Sequence, residues 1–174
     1  MKSSTLRAFG FLVFALLFAA CGSGEPEPVN VVVGGQAPSF SLTSLDGTTV
    51  DSSALKGNVV VLNFWATWCQ PCMSEIPELK EVAASSKVKV IGIGLDQEGV
   101  TTLTPFVVNN GINYTVLVGD EEVFQRFNGA GIPYTLVLDP SQRIVKIYRG
   151  PTTKEDLERD FKTINEQTAQ RVAR

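Results

Sequence analysis

Val59-Val60-Val61-Leu62-Asn63-Phe64-Trp65-Ala66-Thr67-Trp68-Cys69-Gln70-Pro71-Cys72 is the stretch that decides the fold. Its first eight residues carry apolar side chains on both faces, as a central strand covered on two sides requires. Two cysteines follow at once, three positions apart. That spacing lets the two sulfurs reach disulfide distance. A helix beginning there also presents the first sulfur to its N-terminal N–H groups. Those donors and the helix dipole stabilise a thiolate. Thiolate is the attacking species in thiol–disulfide exchange, and a second cysteine resolves the mixed disulfide. The stretch reads as a strand that delivers a redox dithiol to a helix N-terminus.

Two blander readings compete. Structural zinc takes four N or S ligands, but the chain has no histidine and three cysteines, one of them far away at Cys21. A zinc site here would need carboxylates or a second chain. A purely structural disulfide across so short a loop would constrain little of the unfolded chain.

Outward from the dithiol, a helix is expected from about Pro71 to Ala84. Ile76, Leu79, Val82 and Ala83 recur at helical spacing, and Pro77 is expected to kink it. Val88 to Leu95 reads as a second buried strand, Thr101 to Asn109 as a helix, Tyr114 to Val118 as a strand and Glu121 to Phe127 as a short helix. Thr135–Asp139 and Arg143–Arg149 form an expected hairpin, followed by an amphipathic helix from about Lys154 that buries Leu157, Phe161 and Ile164. Upstream, Phe40–Thr43 and Thr48–Val50 flank Ser44-Leu45-Asp46-Gly47, whose Asp-Gly pair favours a tight turn. Ala54-Leu55-Lys56 suits one turn of helix stopped by Gly57. Strands alternating with helices predict an α/β fold: a mixed sheet flanked by helices, with an N-terminal hairpin and a central helix–strand insertion.

At 174 residues, with 44% hydrophobic and 19% charged residues, the chain suits one globular domain with appendages. The formal charge of −3 and the absence of a basic stripe speak against nucleic acid as a partner. Lys2 and Arg7 precede an apolar run from Phe9 to Ala20, which is short for a membrane span and suits a secretory signal. With those two residues removed, 13 basic residues face 18 acidic ones, a formal −5. Leu17-Phe18-Ala19-Ala20-Cys21 resembles a bacterial lipobox, with Cys21 as the lipidation site and Phe18 as the departure from the usual aliphatic residue. Gly22 to Pro28 reads as a polar tether holding the domain off a membrane. Val29 to Val33 suits either an extra edge strand or an extended piece packed on the domain. The expected organisation is a signal peptide over 1–20, a lipidated N-terminus and tether over 21–35, the folded domain over 36–168 and a tail over 169–174. The expected location is outside the cytoplasm, on the periplasmic side or outer face of a bacterial membrane.

Three motifs, in order, carry a resemblance: APSFSLTSLDG, VVVLNFWATWCQPCMSEIPEL and GIPYTLVLDP. On these the chain resembles the thioredoxin superfamily, most closely its TlpA/ResA-like extracytoplasmic branch, over roughly Gln36 to Thr168. The resemblance implies Cys69 as the nucleophile and Cys72 as the resolving thiol. No cofactor is implied beyond the Cys69–Cys72 disulfide. It implies a cis peptide bond before Pro133, in a loop beside the disulfide where substrate docks, with Ile132 and Trp68 shaping the fit. Trp65 and Trp68 are expected to frame the site. Glu75, one turn after Cys72, is implied as an acid that exchanges protons with the dithiol. The alternative for Glu75 is an exposed first-turn carboxylate stabilised by the helix dipole. Asn63 stands where many cytoplasmic thioredoxins have a buried aspartate, and an amide cannot titrate, so it is expected to be a hydrogen-bonded core group.

The activity implied is protein-disulfide reduction. Its partners would be an integral-membrane thiol electron donor and a disulfide-bearing protein, apocytochrome c among the candidates in cytochrome c maturation. A peroxidase is the rival enzyme, because the early region also resembles peroxiredoxin-type sequences. Their P-x-x-x-[ST]-x-x-C pattern is not met: Asn63 to Ala66 contains no proline. A non-catalytic binding module or thiol-dependent holdase is the rival from another class.

Overall fold

A computed structural model describes residues 31–85 and 87–172. The expected signal peptide, Cys21 and the first part of the expected tether, up to residue 30, lie outside the described residues. No helix among the described residues is long and apolar enough to cross a membrane.

The chain opens with a small antiparallel hairpin, β1 (Ser41–Thr43) and β2 (Thr49–Asp51), followed by a 3-10 turn over Ser52–Leu55. The Asp46-Gly47 turn forms as its composition predicts. Asp46 Oδ1 accepts the Thr48 N–H at 2.9 Å, and Gly47 takes the positive φ of +86° that a side chain would oppose. Then come β3 (Val60–Trp65), α1 (Gln70–Ser85), β4 (Lys89–Gly94), α2 (Val100–Asn109), β5 (Thr115–Val118), α3 (Glu121–Arg126), β6 (Tyr134–Leu138), β7 (Ile144–Arg149) and α4 (Lys154–Val172). Helix α1 runs through Pro77 as one element.

β5, β4, β3, β6 and β7 form the main sheet in that order, parallel on the β5 side of β3 and antiparallel on the β7 side. Every residue of β3 is buried, which is why this strand has no polar alternation in its sequence. The two faces of β3 differ. Val60, Leu62 and Phe64 join a core built on Phe124, Phe127, Tyr134, Leu136 and Leu138. Val61 instead packs under Leu79 and Val82 of α1 and Leu157, Phe161 and Ile164 of α4. Trp65 sits with Cys72, Ile76 and Leu103. Helices therefore cover the α1 side of the sheet, while α3 and the N-terminal segment cover the other.

Of Val29 to Val33, the structure describes residues 31–33, and no strand forms there. Val31 is buried in the Phe64 core, whereas Val32 and Val33 are exposed. Backbone hydrogen bonds from Gly34 N–H to Ile144 O (2.7 Å) and from Ile144 N–H to Gly35 O (2.9 Å) then tie the segment to the start of β7. The hairpin covers the opposite edge, where Leu45 N–H donates to Val116 O at 3.3 Å. Both edges of the sheet are thus partly protected from pairing with another chain.

Candidate active site

β3 ends at Trp65 and α1 begins at Gln70, so Ala66 to Cys69 turn the chain in four residues. The turn is closed by Cys69 N–H to Ala66 O at 3.1 Å. Asp96, just after β4, holds it from the side. This carboxylate is only 3% exposed, and it accepts the Thr67 backbone N–H at 3.0 Å and the Thr67 hydroxyl. An acid at the end of an otherwise apolar strand was the available signal for Asp96, and the motif-based reading passed over it.

Cys69 and Cys72 are joined in a disulfide. Cys69, immediately before α1, accepts the Cys72 N–H on its sulfur at 3.3 Å. That is the place of an N-cap oxygen, occupied by sulfur, and it supports negative charge there once the bond is reduced. Both cysteines are buried, Cys69 less completely at 5% exposure against 1%. Trp68 is 69% exposed and lines a groove of about 480 Å³ with Leu95, Glu98, Glu121, Phe124 and Ile132. The Ile132–Pro133 bond is cis, and Ile132 packs against the cluster that contains both cysteines.

Trp65 does not share this exposed position. It is fully buried and stacks beside Phe106, ring centroids 5.4 Å apart. Trp65, at the end of β3, packs in the cluster that holds Cys69 and Cys72, so it borders the dithiol from inside the core, whereas Trp68, in the turn, lies at the surface.

Glu75 is buried as well, at 1% exposure, which removes the reading as an exposed first-turn carboxylate. Asn63 and Thr135 face each other across the β3–β6 ladder and converge on it. Asn63 Nδ2 donates to Glu75 Oε2 at 3.1 Å, and the Thr135 hydroxyl donates to Oε1 at 3.1 Å. Asn63 Nδ2 also donates to Thr135 Oγ1 at 2.9 Å. Burial pushes the Glu75 carboxyl up to about 7, against the opposing pull of hydrogen bonds from Thr135, the Thr152 backbone and Asn63. The amide at Asn63 thus holds the acid that sits elsewhere, on the helix. Thr135 and Thr152 were not singled out from the sequence; Thr135 was legible only as the one polar residue in Tyr134–Leu138.

Among the described residues no group of three or more His, Cys, Asp or Glu side chains is placed to hold a metal. The arrangement is a dithiol at a helix N-terminus, a groove of mixed polar and apolar lining that begins at Trp68, and a buried carboxyl one turn further along the helix. The AhpC/TSA family model matches residues 33–170. The chain belongs to this thioredoxin-like family. It is 29% identical over 163 residues to the thiol-disulfide oxidoreductase ResA of Geobacillus kaustophilus, covering 91% of this chain and 89% of that protein. It is 30% identical over 161 residues to ResA of Bacillus anthracis, covering 90% and 88%. Among solved structures, a thiol:disulfide interchange protein of Chlorobium tepidum TLS matches with a TM-score of 0.67 and 34% identity, over 76% of this chain and 97% of that one. A DsbF homologue from Corynebacterium diphtheriae matches with a TM-score of 0.67 and 28% identity, over 74% and 86%. This AhpC/TSA-family chain is a thiol–disulfide oxidoreductase, and its redox group is the cysteine disulfide rather than a cofactor.

Proposed function

We propose that the protein works outside the cytoplasm, tethered to a membrane through Cys21, and reduces disulfides in other proteins. The observation that carries the reading is the asymmetric setting of the disulfide, with an exposed groove beside Cys69 and a buried acid on the helix of Cys72. In the reduced enzyme the Cys69 thiolate attacks a substrate disulfide, forms a mixed disulfide and expels one substrate thiolate. Cys72 gives its proton to the Glu75 carboxylate and attacks Cys69 Sγ. The Cys69–Cys72 bond re-forms, the second substrate thiolate leaves, and two electrons have passed to the substrate. A carboxyl poised at about 7 suits this transfer near neutral pH. Trp68, Ile132 and Pro133 line the approach of the substrate chain.

Continued turnover needs two electrons per cycle from a donor, and an integral-membrane thiol relay is the partner that a membrane-tethered domain would meet most often. Apocytochrome c, whose cysteines must be reduced before haem attachment, is the substrate proposed. The names of the relatives support disulfide exchange, and the secretory signal and lipobox-like run at Leu17–Cys21 support the location. Peroxide reduction has less support, since the residues before Cys69 lack the proline of the peroxidase pattern and the relatives named above are exchange proteins.

Equilibration of the Cys69–Cys72 couple against a defined thiol buffer tests the direction of electron flow. A potential near or below roughly −230 mV fits a reductase, whereas a value near about −120 mV fits a disulfide-forming oxidase and overturns the proposal. Cys69→Ser should abolish turnover, and Cys72→Ser should accumulate the mixed disulfide. Retained cellular function in Cys69→Ser would instead favour the holdase reading. Mass spectrometry of the membrane-extracted N-terminus tests lipidation at Cys21.

A further inference from the structure

Three buried side-chain polar atoms among the described residues lack a hydrogen-bond partner in the protein: Trp65 Nε1, the Tyr114 hydroxyl and Thr152 Oγ1. Buried polar groups without partners are rare, because leaving one unmade is costly. Such groups scattered through a core would mean little. Thr152 and Tyr114 both interact with Glu75, and Trp65 meets Tyr114 over Gly92.

Thr152 meets Glu75 through its own backbone. Tyr114 lies within reach of the Glu75 charge, which together with burial pushes its hydroxyl up. Trp65 joins them through Gly92. In the sheet Gly92 pairs with Asn63, so the two positions share a face, one strand spacing apart. A Cβ on Gly92 would lie 2.9 Å from Trp65 Nε1 and 3.1 Å from Tyr114 Cε2. The missing side chain lets the indole edge and the phenol ring close over β4, next to the amide that bonds Glu75. Both Trp65 and Thr152 are at least 98% buried.

We propose that these groups form an internal hydration site, in which bound water takes the Trp65 N–H and the Tyr114 O–H and donates to the Glu75 carboxylate. Tyr114 is then a positioning residue for the proton that Glu75 carries. The ligand is water, and the site answers a requirement of the chemistry. A carboxyl that accepts a proton in each cycle needs its charged form stabilised before the transfer and needs a way to release the proton afterwards. Asn63 and Thr135 serve the first need, but both already bond Glu75 in the oxidised protein. The Trp65 N–H and the Tyr114 O–H supply capacity that is otherwise unused. Buried water settles where two to four polar groups converge, as they do here.

No charged side chain is among the groups acting on Glu75. From its own helix Cys72 faces it only as a thiol after reduction. From the β7 side Tyr148 is engaged elsewhere, donating to Asp160 of α4 at 2.7 Å.

The proposal rests on the reading of Glu75 as a proton carrier for its purpose, but the hydration is measured without turnover. Two measurements on the oxidised full chain test it. The chain has two tryptophans, so the Trp65 indole N–H can be assigned by comparison with Trp68→Phe. It should show magnetisation transfer with water in NOE and ROE spectra. With carbon-13-labelled glutamate, Tyr114→Phe should raise the Glu75 midpoint by roughly 0.5 to 1 unit, the worth of one lost hydrogen bond. Tyr148→Phe should leave that midpoint in place. An indole N–H silent towards water, or an unmoved Glu75 midpoint in a Tyr114→Phe protein as heat-stable as the parent, overturns the proposal. Loss of activity in Glu75→Gln is a separate matter, so the hydration site and the proton-carrier role fail independently.

Discussion

The two faces of β3 are made from the same strand and obey different rules. On one face Phe64 packs against Phe127, Phe124 and Tyr134 with ring centroids 5.2, 5.4 and 6.0 Å away, and the Tyr134 hydroxyl among them donates to Phe127 O at 3.0 Å. On the other, Asn63 and Trp65 alternate with it, and the polar groups of Asn63, Thr135 and Glu75 are buried at 1% exposure or less. The apolar face gains stability simply by excluding water. The polar face sacrifices some of that gain to hold a titratable group in the core, on the helix that carries Cys72. Stability and chemistry are thereby assigned to opposite sides of one strand, and substitutions should separate them.

The largest expected effect on stability lies on the apolar face. Phe64→Ala removes a fully buried ring from an aromatic cluster and should destabilise the fold by about 3–5 kcal/mol. The Cys69–Cys72 potential should stay where it was. Denaturant unfolding beside a redox titration checks both, and a potential that moved with stability would break the division.

Glu75→Gln should act with the opposite sign. Its carboxyl is raised from 4.5 to about 7 in the fold, so the folded state favours the protonated form. The contribution of Glu75 is fully present below about pH 4.5 and is lost as pH rises through about 7, a change on the order of 3 kcal/mol. A glutamine does not ionise, so the variant should be more stable than the parent above pH 7, and the two should converge in acid. Its mixed disulfide should resolve more slowly. Parallel unfolding curves from pH 4 to 8 would show that Glu75 is solvated, contrary to its burial.

Asp96→Ala comes next. The carboxylate holds the turn between β3 and α1 through both hydrogen bonds of Thr67. Removing it leaves a partly buried N–H and hydroxyl without their acceptor, for a loss of about 1–3 kcal/mol. Because the turn carries Cys69, the rate of Cys69 alkylation in the reduced protein should change too. Destabilisation with an unchanged alkylation rate would confine Asp96 to the scaffold.

The same division explains what was legible in the sequence. Unbroken apolar runs such as Val59–Ala66 announce strands, and the dithiol announces its own place at a helix start, because both depend on neighbours a few residues away. The place of Glu75 one turn beyond Cys72 was legible for the same reason. Its burial was not, since Asn63 and Thr135 reach it across 12 and 60 residues through a strand register that only the assembled sheet defines. Trp65 and Trp68 stand three residues apart, and nothing local says that the strand ends between them, leaving one ring in the core beside the cysteines and the other in water. Tyr114 reads from sequence only as the start of a strand. Its role depends on Gly92, whose lack of a side chain matters only when β3 and β4 lie side by side.

The smallest effect on stability is expected at Trp68, and it tests the comparison from outside the sheet. The side chain is 69% exposed, so Trp68→Ala should change folding stability by no more than about 0.5 kcal/mol. An exposed indole at the mouth of a groove shared with Leu95, Phe124 and Ile132 is nevertheless poorly explained by folding, which leaves it in water. It is well explained by binding, where a large flat ring adds contact area at little entropic cost. Trp68→Ala should therefore raise KM for a disulfide-bonded polypeptide several-fold and leave the reduction of a small disulfide, which cannot fill the groove, nearly unchanged. Equal losses on both substrates would place Trp68 in the electronics of the dithiol instead, and the groove would lose its claim to substrate recognition.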